Sequence, residues 1–195
     1  MGKRLFDLIL AAAGLLLLAP VLLLVAVWIK LDSPGPVLFR QERIGRFGQP
    51  FLIHKFRSMR VDNAGAQITV GADPRITRAG RFIRAAKLDE LPQLWDVLRG
   101  AMSFVGPRPE VARYVALYPT ELRDIVLSVR PGITDLASLE YRNESDLLAQ
   151  ASDPEREYVE VIMPAKLAFA TAYARQHDLA GDLHIIWRTV RAVWG

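Results

Sequence analysis

Cysteine is absent from the 195 residues, and histidine occurs only three times. The first absence excludes a disulfide framework, a zinc–thiolate centre and a thiol nucleophile, so any metal must rest on oxygen or imidazole ligands. His54, His177 and His184 share no metal-ligand spacing, and each reads as a surface or helix-face side chain. Ser58 and Ser103 have no plausible histidine partner nearby in sequence, which leaves a serine triad with little support. Neither a Walker loop nor a Gly-x-Gly-x-x-Gly string occurs, so the usual nucleotide-fold fingerprints are missing. Repeats and low-complexity tracts are missing too, and the length suits one compact domain rather than two.

Hydrophobic residues, in contrast, make up 51% of the chain, and much of the excess sits in one N-terminal block. Leu8 through Ile29 contains no charge, and a straight helix of that length crosses a hydrocarbon core of about 30 Å. A cleaved signal peptide is disfavoured, because no small-x-small site closes the run and it is too long for an h-region. Pro20 falls near its middle, where it removes an N–H, crowds the Leu16 carbonyl and pushes Ala19 from helical dihedrals. Lys3 and Arg4 precede the run, while Lys30, Arg40, Arg43 and Arg46 follow it, so both flanks read as cytoplasmic. A re-entrant hairpin bent at Pro20 satisfies both flanks, whereas a kinked spanning helix is tolerated by the same backbone rules, and both readings stand. In the hairpin Asp7 lies near the headgroups beside Arg4. A formal charge of +4 and a pI near 9.6 suit an anionic partner: a phospholipid surface, a nucleotide or a nucleic acid.

The turn formers of Asp32-Ser33-Pro34-Gly35-Pro36 end the apolar element. Val37 to Arg40 and Phe51 to Phe56 read as strands of a hairpin turning through Gly45 and Gly48. A loop from Asp62 to Pro74 leads to a basic helix over Ile76–Ala86, and a short helix over Leu91–Leu98 stops at Gly100. Helices are expected over Glu110–Leu117 and Glu121–Ser128, over Tyr158–His177 with an interruption near Pro164, and over Leu183–Trp194. The last carries Leu183, Ile186, Trp187, Val190 and Trp194 on one face, fit either for core packing or for lying in a membrane plane.

Four features carry possible chemistry. In Leu88-Asp89-Glu90-Leu91-Pro92-Gln93, Pro92 belongs to a first helical turn, which places Asp89 and Glu90 at a helix N-terminus. There they form either an ordinary cap or an ionised nucleophile beside a bound phosphate. Arg75, Arg78, Arg81, Arg84 and Lys87 recur every three residues and make a basic stripe, of which at least two members read as solvated surface. Arg108 lies in Gly106-Pro107-Arg108-Pro109, a loop that presents one guanidinium for phosphate or is a plain turn. Lys55 and Arg57 flank Phe56, whose burial would send both cations to the opposite face as phosphate ligands.

Read as one string, Leu88-Asp89-Glu90-Leu91-Pro92-Gln93-Leu94-Trp95-Asp96-Val97-Leu98-Arg99-Gly100 through Met102-Ser103-Phe104-Val105-Gly106-Pro107-Arg108-Pro109 resembles the bacterial sugar transferase family, the monotopic phosphoglycosyl transferases. Phe39-Arg40-Gln41-Glu42-Arg43-Ile44-Gly45, Lys55-Phe56-Arg57-Ser58-Met59 and Arg130-Pro131-Gly132-Ile133-Thr134 extend the resemblance over nearly the whole chain. It implies a mostly α fold with a small β-hairpin: a re-entrant helix-break-helix at Ala19-Pro20 (residues 1–32), interfacial amphipathic helices, and a compact cytosolic α/β catalytic body (residues 33–195). It implies a catalytic Asp89-Glu90 dyad that also holds Mg²⁺, with Lys55, Arg57, Arg84, Arg108 and Arg142 toward the phosphates. The implied reaction moves a sugar-1-phosphate from a UDP-sugar to polyprenyl (undecaprenyl) phosphate, releasing UMP through a phosphosugar-aspartate, as the first membrane step of glycan assembly. The implied setting is the cytoplasmic face of a bacterial inner membrane, with a phospholipid surface and no nucleic acid as partner; a homodimer is left open. A non-catalytic membrane-bound scaffold and a sugar-only glycosyltransferase releasing UDP are the alternatives. The chain departs from the family pattern in having Ala19 before Pro20 where serine is common, and in Asp135-Leu136-Ala137-Ser138-Leu139-Glu140-Tyr141, which bears on the sugar pocket and on Arg142.

Overall fold

Leucine and alanine, both strong helix formers, dominate the first thirty residues, and the chain forms one helix there, α1 (Gly2–Asp32). The computed structural model describes residues 2–61, 69–71 and 73–194, and for 193 and 194 the backbone alone. The interruption expected at Ala19-Pro20 is not a gap in helical structure: α1 continues through Pro20. Proline deletes one backbone donor and leaves the Leu16 carbonyl without its partner, a local loss that flanking turns of strong helix formers outlast.

The burial of α1 is polarised. Asp7 and Ala11 are buried before Pro20 and Val25 and Ile29 after it, while Leu16, Leu17, Leu23 and Leu24 between them are 66–78% exposed. Ala11 packs with Ile53, Val97 and Met102. Val25 and Ile29 pack with Phe56, Ala79 and Ile83. The two arms of α1 thus rest on one and the same body, and most of its apolar middle is exposed. Asp7 is not a headgroup neighbour of Arg4; it is 2% exposed and accepts from Ser103 Oγ at 2.9 Å and from the Phe104 N–H at 3.2 Å. Arg4 instead donates to the Val97 and Leu98 carbonyls at 2.7 and 3.0 Å.

The expected hairpin is present, with β1 (Leu38–Ile44) antiparallel to β2 (Pro50–Phe56) and Leu38 opposite Phe56. Strand β1 runs longer than its sequence suggests, because Gln41, Glu42 and Arg43 break the apolar alternation yet stay in register with β2. Helix α2 (Arg78–Ala85) is capped by Thr77, whose side chain accepts from the Gly80 N–H at 2.9 Å. Helix α3 (Gln93–Arg99) ends at Gly100, left-handed at φ 86°. Two three-residue strands follow, β3 (Ser103–Val105) and β4 (Gly132–Thr134), paired in parallel. Between them lie α4 (Ala112–Val115) and α5 (Thr120–Val126), both shorter than expected.

After β4 come α6 (Leu136–Glu140), α7 (Glu144–Gln150) and α8 (Pro154–Glu157), a π-helical turn over Tyr158–Ile162, α9 (Met163–Gln176) and α10 (Leu179–Trp194). The π turn explains the irregularity expected near Pro164: with no N–H at Pro164, the preceding turn widens. Val111, Tyr114, Leu148, Tyr158, Ile162 and Met163 form the core of this half. On α10, Ile185 faces inward and Leu183, Trp187 and Val190 are about half exposed, so that face does not serve as core. The loop expected over Asp62–Pro74 lies largely outside the described residues.

Candidate active site

Lys87 adopts left-handed dihedrals (φ 54°) and swings the chain out of α2 into a single 3-10 turn, Leu88–Glu90. That turn, rather than the N-terminus of α3, carries the carboxylates; α3 begins only after Pro92 and has seven residues. The expected macrodipole therefore has no long helix behind it, and side-chain cations do the electrostatic work instead. Leu88 packs beside Ile83 and Ile29, which fixes the turn on the body.

Glu90 is held from two sides. Lys55 Nζ, brought by β2, lies 2.8 Å from Glu90 Oε1, and an Arg108 Nη2–H bonds to the same oxygen. Burial alone would raise the Glu90 carboxyl, but Arg108 and then Lys55 hold it well below the usual glutamate range. Glu90 in turn keeps Arg108 firmly charged against the cost of its burial. Lys55 is pulled the other way: burial lowers its pKa, and Glu90 opposes that.

Asp89 is the contrasting member. It is 8% exposed, and its Oδ1 is buried with no hydrogen-bond partner among the described residues. Burial, followed by the adjacent Glu90 charge, pushes its carboxyl above the ordinary aspartate range, with Lys55, Arg84 and Lys87 opposing. An unbonded carboxylate oxygen, poorly solvated and ringed by cations, has the chemistry to approach a group that carries its own negative charge. Both carboxylates face a wide cleft also lined by Arg43, Lys55, Arg84, Lys87, Arg108 and Arg142.

The sequence-derived cations do not all converge. Lys55 and Arg108 meet the dyad directly, and Arg84 lines the same cleft. Arg142, after α6, is exposed and lines the same cleft without a hydrogen bond or ion pair to either carboxylate. Arg57 is a different matter: it is 3% exposed, and its guanidinium donates to the Ser33 carbonyl at 2.8 Å, the Ile29 carbonyl at 3.4 Å and the Pro34 carbonyl. It lines the cleft with Lys55 but clamps the end of α1, and its backbone N–H still donates to the Val37 carbonyl at 2.9 Å. In the basic stripe, Arg78 and Arg81 are exposed outside the cleft lining, and Arg75 pairs with Asp73.

Sequence reading missed three arrangements. His54 is buried, not superficial, with Nδ1 at 2.7 Å from Asp96 Oδ1, which joins β2 to α3 behind Lys55. Glu110 accepts from Tyr158 at 2.7 Å and Lys166 meets Glu144 at 2.5 Å, forming a polar far wall. Asp135 accepts from the Arg108 N–H at 3.1 Å. Only the Asp135 contact had a local signal, a potential cap three residues before Ser138.

No cluster of three or more His, Asp or Glu side chains forms a metal cage among the described residues. Two adjacent carboxylates, one with an oxygen lacking any protein partner, match the donor set of Mg²⁺, which takes one or two carboxylates and completes its shell with substrate phosphates.

The family model for bacterial sugar transferase matches residues 1–195. The chain is 40% identical to the UDP-glucose:undecaprenyl-phosphate glucose-1-phosphate transferase of Escherichia coli K12, over 96% of this chain and 39% of that protein. A protein of the same description from Caulobacter vibrioides is 41% identical, over 96% of this chain and 68% of its own length. The exopolysaccharide production protein PSS of Rhizobium leguminosarum is also 41% identical, over 96% and 92%. The chain therefore spans about two fifths of the E. coli relative and nearly all of the Rhizobium one. With the motifs gathered at one cleft and the match running end to end, the chain belongs to the bacterial sugar transferase family.

Proposed function

We propose that this chain transfers a sugar-1-phosphate from a UDP-sugar to polyprenyl phosphate, with Asp89 as nucleophile. The observation that carries the reading is the pairing of a tethered Glu90 with an untethered Asp89: one carboxylate organises cations, the other keeps a free oxygen in a cleft. The relatives named above, described as glucose-1-phosphate transferases to undecaprenyl phosphate, support the substrate class.

In the first half-reaction Asp89 attacks the β-phosphorus of the donor, the bond from that phosphorus to the bridging oxygen breaks, and UMP leaves with that oxygen. In the second, a phosphate oxygen of the polyprenyl acceptor attacks the same phosphorus and frees the Asp89 carboxylate. Lys55, Arg84 and Arg108 lower the repulsion between carboxylate and diphosphate, and Arg142, in the same cleft, reaches the donor. Asp89 and Glu90 would hold Mg²⁺, which supplies charge neutralisation at the diphosphate.

The acceptor is a lipid, so the site must sit at a membrane. Both arms of α1 resting on one body support a helix that enters and leaves one leaflet, with residues 1–32 as the membrane element, residues 33–195 as the catalytic body, and α10 at the interface. The cytoplasmic face of the inner membrane is where nucleotide sugars meet that lipid.

The test is release of UMP by purified enzyme across a panel of UDP-sugars with undecaprenyl phosphate and Mg²⁺, together with intact mass after donor alone. Wild type gains the mass of a phosphosugar, and Asp89→Asn shows neither adduct nor turnover. Release of UDP in place of UMP, or full activity in Asp89→Asn, overturns the assignment.

A further inference from the structure

The loop carrying Arg108 has a peculiar backbone. Pro107 and Pro109 have no N–H, so across these three residues the Arg108 N–H is the single backbone donor. Its partner is Asp135 Oδ2 at 3.1 Å. The other oxygen, Oδ1, accepts from the Ser138 N–H at 2.6 Å and caps α6. Asp135 is 5% exposed, so both bonds are shielded from water.

Strand bonds hold the loop at its two ends: on the far side Arg43 donates to the Pro109 carbonyl at 3.1 Å and the Ile44 N–H to the Glu110 carbonyl at 2.9 Å, and on the near side β3 and β4 hold it. Gly106 N–H donates to the Thr134 carbonyl at 3.1 Å, and Gly132 N–H donates to the Pro107 carbonyl at 3.0 Å. A Cβ on Gly106 would collide with the Arg130 carbonyl, so β3 and β4 approach as closely as backbones can. Beyond Pro107 that ladder ends, and Asp135 is the next group to engage the chain. From there the Arg108 side chain reaches Glu90. A continuous line of contacts therefore runs from α6 through Asp135 and Arg108 to the dyad. Helix α6 is itself a wall of the cleft, which Ser138, Leu139, Tyr141 and Arg142 line.

We propose that Asp135 is a positioning residue of the transfer site: it fixes the Arg108 backbone so that the guanidinium meets Glu90, and it locks α6 to that geometry. The role rests on the transferase reading above and deepens it, since it makes the segment that departs from the family pattern part of the catalytic assembly rather than a surface variation. Asp135 touches neither substrate nor the reacting atoms. Its effect on rate passes through Arg108.

The experiment is a double-mutant cycle on the full chain in detergent or vesicles, read as kcat/KM for UMP release. Asp135→Ser retains one oxygen for the Ser138 N–H, so the α6 cap survives while the bond to the Arg108 N–H is lost. The expected loss is on the order of tenfold to a hundredfold, with a melting temperature near that of wild type. In an Arg108→Ala background the same substitution should cost nothing further. Additive losses, or full activity in Asp135→Ser, overturn the role while leaving the transferase reading in place. If Asp135→Ser lowers the melting temperature sharply, Asp135→Asn, with one acceptor oxygen for two donors, is put through the same cycle, and the same two outcomes decide. A wild-type chain that releases no UMP defeats the transferase reading, and this role with it.

Discussion

At the scale of single residues, two neighbouring carboxylates are driven in opposite directions by what surrounds them. Glu90, with a folded pKa below its ordinary value, contributes stability that is present above about pH 4.5 and is lost as pH falls. Asp89, with a raised folded pKa, contributes stability at low pH that is lost as pH rises through that raised value. Asp89→Asn is therefore expected to raise the melting temperature at pH 7.5 and to lose that advantage toward acid. Thermal denaturation from pH 4 to pH 8 checks it, and a lower melting temperature at neutral pH would contradict it. Arg57→Ala separates structure from binding: three carbonyls lose a shared charged donor, at a cost of about 2 kcal/mol of stability. The donor KM should move less than in Arg108→Ala, as steady-state kinetics with unfolding curves would record. The sequence exposed both carboxylates and the cations around them through motif resemblance, and alternation put Arg57 on the cleft side with Lys55. Its bonds to the carbonyls at the end of α1 left no trace in sequence, because they join segments more than twenty residues apart.

At the scale of elements, periodicity served the long segments and failed the short ones. The hairpin and helices α2, α3, α9 and α10 were legible because each repeats its pattern over two turns or several strand pairs. Strands β3 and β4 have three residues each and show no period, although their flanking glycines mark the close approach that pairing requires. Gly80 records a similar approach: a Cβ there would run into the Ser58 carbonyl. Gly80→Ala should destabilise the chain by about 2 kcal/mol or more through displacement of backbone, measurable in denaturant. On α10, Trp187→Glu places a charge on the half-exposed apolar face. Sedimentation with anionic vesicles should show clearly weaker binding with the fold intact, and unchanged binding would return that face to an ordinary surface.

At the scale of the whole molecule, the disposition of α1 bears on the proposed return through one leaflet. Its apolar middle is mostly exposed and its two ends are docked, an arrangement that local sequence features left evenly poised between a crossing and a return. Local features could not show this docking because the contacts come from residues 53–104, far along the chain, and the re-entrant form came from the family resemblance. Absence of cysteine makes the check clean: Gly2→Cys and Arg40→Cys each introduce a single thiol. Both should react with an impermeant maleimide from the cytoplasmic side only. Labelling from opposite sides would establish a crossing.

The pairing of Lys3 with Asp182 joins positions 179 apart in sequence. At ribosomal speeds of about 5–20 residues per second, on the order of 10–40 s elapse between the emergence of one partner and the other. Through that interval α1 can already dock on residues 53–104, while the acidic partner of its N-terminal end is still unmade. A ribosome stalled before Asp182 should therefore hold a nascent chain whose α1 is seated on the body but whose Lys3 lacks Asp182, and on the proposed reading it should bind membrane without turning over substrate.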